Sequence, residues 1–438
     1  MQRKRLIYNT ALLTFSSLLM SCIGMAFQVW LVGCIGSAGI GLYQLVISVT
    51  NLAATFAISG IRFATTRLVS EELGMDNTDC IASAMRCCML YGAFFGIAAL
   101  IIMYSLAEPI GFLWIGDART VMSLRISSIS MPCISMCAVL SGYFTACGRV
   151  WKRTIIHLAE QILGIALVAF FLGRAPVGDI EKSCAAVTYG RLCADILSTT
   201  AMYIAYKLDH KTHYLQGSTG NKLTSRMFRI AVPLAFSAYA RSTLTTMQNL
   251  LVPKGLKSAG YSADGALSGY GTIQGMVLPI ILFPSCIMVS LSELIVPELT
   301  ESQVQDDKHG ISRSVSALIG MSLNFSIAVA AFMFIFADKL ALAVYKSNDA
   351  GYFIRILAPL VPIMYTDMTI DGCLKGLGQQ VWSMGINILD GAVGLAMVWY
   401  LLPKYALVAY IVIIYFTEIL NFSLSLWRLK SIRNYPLT

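Results

Sequence analysis

From the N-terminus onward, this chain does not alternate polar with apolar positions. It runs in long apolar stretches separated by short polar breaks. From Leu6 to Ile61 there is no Asp, Glu, Lys, Arg or His. Runs of this kind exceed the ~20 residues that a membrane-spanning helix requires, and in hydrocarbon a chain satisfies its own backbone polar groups as helix. Marking the apolar segments between charged or Gly/Pro breaks predicts twelve spans, at about 6–33, 40–62, 86–107, 121–147, 154–173, 184–207, 227–252, 268–296, 313–337, 352–376, 380–402 and 405–427. The longest polar connection, YKLDHKTHYLQGSTGNKLTSR at 206–226, parts six spans from six. The expected architecture is an all-α polytopic membrane protein with an N-terminal six-helix lobe at 1–208, a cytoplasmic linker at 209–225 and a C-terminal six-helix lobe at 226–438.

Composition points the same way. Apolar residues make up 57% of the chain and charged residues 13%, with mean hydropathy +0.70; a soluble domain carries about 25% charged residues. The net charge of +9 fits basic cytoplasmic loops and calls for no nucleic acid. Of 32 Lys and Arg residues, 19 fall on the side of the N-terminus, 10 on the opposite side and three within spans, which predicts cytoplasmic termini. The N-terminal MQRKR reads as the flank of a retained first span, because the apolar run is too long for a signal peptide and a second span follows at once. The twelve cysteines lie mostly within spans and form no CxxC pair, so they read as small buried hydrophobes. The four histidines form no ligand constellation; His210 and His213 lie in the polar connection. There is no P-loop, no Gly-x-Ser-x-Gly and no metal-ligand spacing, so neither an enzyme nor a cofactor is expected. Transport energy would then come from an ion gradient, the membrane potential or the substrate's own gradient.

The two halves resemble each other. At an offset of 230, Glu108 falls on Asp338, Arg125 on Arg355, Pro132 on Pro362, Gly142 on Gly372, Gly148 on Gly378, Glu160 on Asp390 and Gly164 on Gly394. At an offset of 227, Tyr43 falls on Tyr270 and Glu71 on Glu298. An even number of spans per half makes the repeats parallel, and transporters of this kind hold substrate between the halves near the midplane. A charge pair present in both halves, Glu108 with Arg125 and Asp338 with Arg355, reads as a structural staple rather than a substrate site.

Charges that the repeat leaves unexplained are candidates for function, since an ionisable group within a span costs roughly 2.5–3.5 kcal/mol unless it faces a partner or a watery cavity. Arg241, in AVPLAFSAYARSTLTTMQNLL, sits about fourteen residues into its span, or ~21 Å at 1.5 Å per residue, and its counterpart is Thr14. Arg62 and Arg67 lie toward the cytoplasmic end of span 2, where a long side chain can also snorkel. These three are the candidate anion-binding residues; for Arg241 a buried ion pair is the alternative. Arg191 with Asp195, and Asp371 with Lys375, are spaced to pair within one helix face. Asp367, Asp390, Glu418 and Glu293 remain as acids that would either carry a coupling ion or pair with Arg241.

Two stretches carry a family resemblance. GSAGIGLYQL (36–45) followed by SGIRFATTRLVSEEL (59–73) resembles the start of the stage V sporulation protein B and polysaccharide-biosynthesis branch of the multidrug/oligosaccharidyl-lipid/polysaccharide (MOP) exporter superfamily, whose second helix reads like SGIPVAISKLVSE. SGYFTACGRVWKRTI (141–155) and DGCLKGLGQQVWSM (371–384) resemble the G-x-x-x-x-x-G loops after helices 4 and 10 of that group. The resemblance implies two six-helix bundles around a V-shaped central cavity, as in MATE-like exporters. It also implies a flippase moving a polyprenyl-pyrophosphate-linked saccharide or peptidoglycan precursor to the outer leaflet of the bacterial plasma membrane. Its implied partners are the anionic lipid-linked substrate, membrane lipid and enzymes of cell-envelope or spore-cortex synthesis, with the chain acting as a monomer. Arg62 and Arg241 are the positions suited to the pyrophosphate. The chain departs from the pattern in three places: Arg62 stands where that branch has proline, twelve spans replace fourteen, and span 1 lacks the acid that drug-exporting relatives use. A cation-coupled exporter of drugs or small organic solutes is the alternative.

Overall fold

The computed structural model describes residues 2–74, 78–176, 178–213, 222–292, 299 and 307–434, and every described element is helical. We number the main helices α1 (Gln2–Ile58), α2 (Ile61–Gly74), α3 (Thr78–Ser105), α4 (Val121–Ile129), α5 (Met131–Ala146), α6 (Val150–Leu172), α7 (Ile180–His213) and α8 (Lys222–Ser258). Then follow α9 (Ala263–Gly271), α10 (Leu278–Leu282), α11 (Lys308–Tyr345), α12 (Asn348–Leu357), α13 (Val361–Gly376) and α14 (Gln380–Asn434). Spans 1 and 2 are joined without a loop: α1 runs through both and breaks only at Gly36, whose φ of 71° suits a residue lacking Cβ. Spans 11 and 12 are likewise joined within α14, which breaks at Ala406 just after Pro403, a residue with no N–H to give the helix.

Among the described residues, eight stretches are long and apolar enough to cross a membrane, two of them double-length, Ser16–Leu73 and Gln380–Ile432. Helices α7 and α8, of 34 and 37 residues, fall outside that set because they carry charges, Arg191, Asp195 and Arg241 among them. The chain is a multi-pass membrane protein.

The chain divides into two compact units, Met1–Ser16 with Leu45–Thr246 and Ser17–Gln44 with Met247–Thr438. This division differs from a cut in the polar connection, because residues 17–44 group with the second unit and the start of α8 with the first. The expected linker lies mainly outside the described residues, but α7 continues to His213 and α8 begins at Lys222.

The repeat holds contact by contact. Arg125 donates to Glu108 at 2.7 Å in the first unit and Arg355 to Asp338 at 2.5 Å in the second, so the staple exists in both. Gly148 (φ 66°) and Gly378 (φ 72°) end α5 and α13 in the left-handed region. The residue after each closes the same bond, Arg149 N to Phe144 O at 2.9 Å and Gln379 N to Leu374 O at 2.8 Å, a Schellman-type ending. A Cβ on Gly142 would meet Thr65, and one on Gly372 would meet Ser292; Thr65 and Ser292 are 227 apart. Gly92 packs on Val139 where Ser322 bonds Thr369 at 3.0 Å, both pairs 230 apart.

One copy departs from its twin in a way that strains the backbone. Gly116 (φ 74°) precedes the N-cap Asp117, whereas Lys346 (φ 53°) precedes the N-cap Ser347. A side chain in that conformation costs roughly 1–2 kcal/mol. Replacing the exposed Lys346 by glycine should therefore stabilise the protein by about 1 kcal/mol, read as a higher unfolding temperature in detergent. A lower temperature would show that the Lys346 side chain makes a compensating contact.

Candidate functional site

The stretch SGIRF breaks its helix. Ser59 (φ 42°) and Gly60 (φ 70°) both adopt left-handed backbone between α1 and α2, so Arg62 begins a new helix instead of ending span 2. The break is locked from outside. The buried Ser59 hydroxyl meets the Tyr91 hydroxyl at 2.9 Å and accepts from Tyr239 at 2.6 Å, while a Cβ on Gly60 would lie 2.5 Å from the Ala231 carbonyl. Two tyrosines from neighbouring helices thus hold a strained turn that sets the position of Arg62.

Arg62 lines a cavity of about 260 Å³ inside the first unit, with Cys133, Cys137, Ser141, Arg153, His157, Glu160, Asp195 and Ser198 among its walls. The two acids are engaged. Glu160 accepts from Ser198 at 2.6 Å and meets His157 at 3.4 Å. Asp195 accepts from Ser130 and lies within the field of Arg191 and Glu160. The expected direct Arg191–Asp195 pair is not among the ion pairs of the described residues, and Arg191 acts on Asp195 through its field. Neither Arg62 nor Arg153 forms an ion pair with any described residue, and the charge of Arg62 acts on Arg153. Arg153 and His157 were not legible as site residues while the former counted as a loop charge. The spacing of 153, 157 and 160 on α6, a single helical face, was the available signal.

The second unit builds the same arrangement with different side chains. Gly164 packs on Ala194 where Gly394 packs on Thr417, which puts α7 and the end of α14 at an offset of 223. Asp195 then corresponds to Glu418, and Cys137, Ser141, Arg153, His157 and Glu160 correspond to Asp367, Asp371, Ser383, Asn387 and Asp390. Asp367, Asp390 and Glu418 are close enough that each of the first two acts electrostatically on Glu418. Asp367 is buried, and one oxygen of Asp367 and of Asp390 has no hydrogen-bond partner. The Asp371 carboxylate is taken by Lys375 at 2.5 Å and by Ser383, so the expected helix pair forms. No described group of three or more His, Cys, Asp or Glu is arranged for a metal ion. The scaffold and its carboxylate pair are duplicated; Arg62, Arg153 and Asp367 are not.

Of the other candidates, Arg241 is exposed and forms no ion pair with a described residue, and it is not among the residues lining the Arg62 cavity. The structure therefore joins Arg62 with Arg153 there, not with Arg241. Arg67 is held at 2.9 Å by Glu71, which also binds Arg226 at 2.5 Å, so its charge is already neutralised. Glu293 lies outside the described residues. The start of α6 is fixed by the buried Asp209 of α7, which accepts from Lys152 at 2.6 Å and Tyr143 at 3.0 Å and pairs with Arg149.

A duplicated helical scaffold with charged residues set within its spans is the architecture of a polytopic membrane protein. Comparison with known proteins then gives its family. Residues 6–291 match the polysaccharide biosynthesis protein family, to which the chain belongs, and residues 257–402 match the MatE family. Stage V sporulation protein B of Bacillus subtilis (strain 168) is 23% identical over 401 residues, covering 90% of this chain and 76% of that protein. The fold is similar to that of a protein described as the inward-facing conformation of a multidrug resistance MATE family transporter of the MOP superfamily, with a TM-score of 0.76 at 14% identity over 95% of this chain and 96% of that one. The lipid II flippase MurJ in its inward closed conformation gives 0.73 at 14% identity over 97% and 87%.

Asp209 yields a prediction about how the site is held. Burial alone would raise its carboxyl, but Lys152, Arg149 and Tyr143 together hold it below the usual range. Its contribution is thus present above the unfolded carboxylate value near ~4 and is lost as pH falls through the lower folded value. Asp209→Asn should cost about 2 kcal/mol at neutral pH, less than a fully buried pair because Arg149 and Lys152 are partly solvated. The gap between the two proteins in denaturation should narrow on acidification; a constant gap would remove the ion network from the account.

Proposed function

We propose that this chain is a flippase for an anionic lipid-linked saccharide, moving a polyprenyl-diphosphate-linked glycan or peptidoglycan precursor from the inner to the outer leaflet of the bacterial plasma membrane by alternating access. Both termini are cytoplasmic in this reading. The observation that carries it is the presence of intramembrane arginines without carboxylate partners, Arg62 and Arg241, in a member of the polysaccharide biosynthesis family. A guanidinium in such a place repays its desolvation when it binds phosphate, because its fork donates two charge-assisted hydrogen bonds. Arg67, bound to Glu71, takes no part. Asp367, Asp390 and Glu418 serve as the coupling site for a monovalent cation or a proton, since burial next to like charges favours uptake of positive charge.

The same three acids favour a second reading, a cation-coupled exporter of small organic solutes, which the MatE match over 257–402 supports. The two are separated in vesicles. With a labelled polyprenyl-diphosphate saccharide, Arg241→Ala should fall below about a tenth of wild-type flipping, a loss of at least ~1.4 kcal/mol, and Arg241→Lys should be intermediate. Insertion and folding should be unchanged. Wild-type flipping by Arg241→Ala would remove Arg241 from the site, and cation-driven efflux of organic solutes without lipid flipping would overturn the flippase reading.

A further inference from the structure

We propose that the second unit carries an uncharged saccharide site, a cavity of about 500 Å³ in which Gln28 and Gln44 bind the hydroxyl or acetamido groups of a sugar. That the sugar arrives lipid-linked rests on the flippase reading; the site itself rests on the cavity and its lining. Its walls belong to one unit: Ser21, Met25, Gln28 and Gln44 from α1, with Phe283 and Ser285 from the residues after α10. No Asp, Glu, Lys, Arg or His is among the described residues that line it. Val289 stands in its wall at the position that corresponds, at the offset of 227, to Arg62.

The cavity lies at an interrupted helix. Pro284 has no N–H to give, and the chain turns at Phe283–Pro284 before it becomes helical again. Side chains take up the carbonyls at the turn: Tyr365 donates to Ile281 O at 2.5 Å and Ser285 to Leu282 O at 2.6 Å. At the offset of 227 this turn falls within about one helical turn of Ser59–Gly60, so both units interrupt the corresponding span. Spans interrupted at matching positions of two repeats point to substrate sites in transporters.

Hydrogen bonding within the cavity selects the class of ligand. Gln28 Nε2 donates to Gly275 O at 2.9 Å, and the Ser21 hydroxyl donates to Ser17 O at 3.0 Å. With the Ser285 hydroxyl also donating to its own helix, these side chains retain mainly acceptor capacity, the Gln28 amide oxygen and the hydroxyl lone pairs. An ionised phosphate brings acceptors only, whereas sugar hydroxyls and acetamido N–H groups donate. Met25 and Phe283 supply an apolar wall for the C–H face of a sugar ring, and the volume is in the range of small-molecule sites. The scaffold does not require these polar groups. Gln28, Gln44 and Ser285 correspond to Gly255, Gly271 and Ile58, none with a side chain that hydrogen-bonds. Helix packing accounts for the Gln28–Gly275 bond, but not for the polar space beside it.

The test uses the full chain in lipid nanodiscs. Three lipids serve as probes: polyprenyl diphosphate carrying one N-acetylhexosamine, the same lipid carrying one hexose, and bare polyprenyl diphosphate. The wild type should bind at least one sugar-bearing lipid about tenfold more tightly than the bare lipid. Gln28→Met and Gln44→Met should each shrink that preference about threefold or more and leave binding of the bare lipid unchanged. Gln44→Met carries the test if Gln28→Met, which loses its bond to Gly275, fails to fold. Free sugar competing as tightly as its lipid-linked form marks a soluble saccharide as the occupant, and weaker competition marks the lipid-linked one.

Equal binding of sugar-bearing and bare lipid by the wild type would overturn the site. So would a preference that survives in Gln44→Met, or an equal loss for all three lipids, which marks a defect that does not read the sugar. Preference lost as expected but no flipping in vesicles would leave the site standing and remove the flippase reading. Flipping by a wild type that binds the three lipids alike would do the reverse.

Discussion

A charged side chain in hydrocarbon must have a partner or a polar space to face, and the rest of this structure is arranged around that constraint. The chain meets it in two ways. One is by pairing: Glu108 with Arg125, Asp338 with Arg355 and Asp371 with Lys375 each close an ion pair. The other is by enclosure, which places Arg62, Arg153, Glu160 and Asp195 around one cavity of the first unit. The Glu108–Arg125 and Asp338–Arg355 pairs recur at the repeat offset, as scaffolding does. Arg62 and Arg153 do not, and that difference separates architecture from chemistry.

Duplication makes the difference readable. When two units share their caps, staples and glycine contacts position by position, a substitution between them is a change made on a constant background. On that background the first unit has Arg153 and His157 where the second has Ser383 and Asn387, and Cys137 where the second has Asp367. The carboxylate pair is kept, as Glu160 with Asp195 and as Asp390 with Glu418. One unit therefore surrounds its pair with positive groups and the other adds a third acid. On the proposed flippase reading, the positive groups serve the anionic cargo and the third acid serves the coupling cation.

Much of this was legible in the sequence, and the limits are physical. Apolar length alone located the spans, because hydrocarbon thickness leaves a chain little freedom. The offset of 230 was visible in Gly148 and Gly378, since the left-handed ending of a helix favours glycine. The same signal failed at Lys346, which takes that conformation without being glycine. The break at Ser59–Gly60 was hidden for a similar reason: a serine there is held by hydroxyls from distant helices, Tyr91 and Tyr239, which no local pattern reveals. Arg153 was obscured because a basic residue beside two others at a helix start reads as a loop charge. Only its alignment with His157 and Glu160 on one face, once α6 is in place, shows that it turns inward.

A more positive site in the first unit than in the second is the central claim, and native thiols make it measurable. Cys133 and Cys137 line the cavity of the first unit, and Asn421→Cys places a thiol one turn from Glu418 in the second. The rates at which an anionic and a cationic thiol reagent of equal size label each position report the sign of the local potential. The ratio of anionic to cationic rate should be higher at Cys137 than at Asn421→Cys by about tenfold or more, within the range that charged clefts produce. Arg62→Gln with Arg153→Gln should collapse that difference. Equal ratios in the two units, or a ratio favouring the cation at Cys137, would contradict the account.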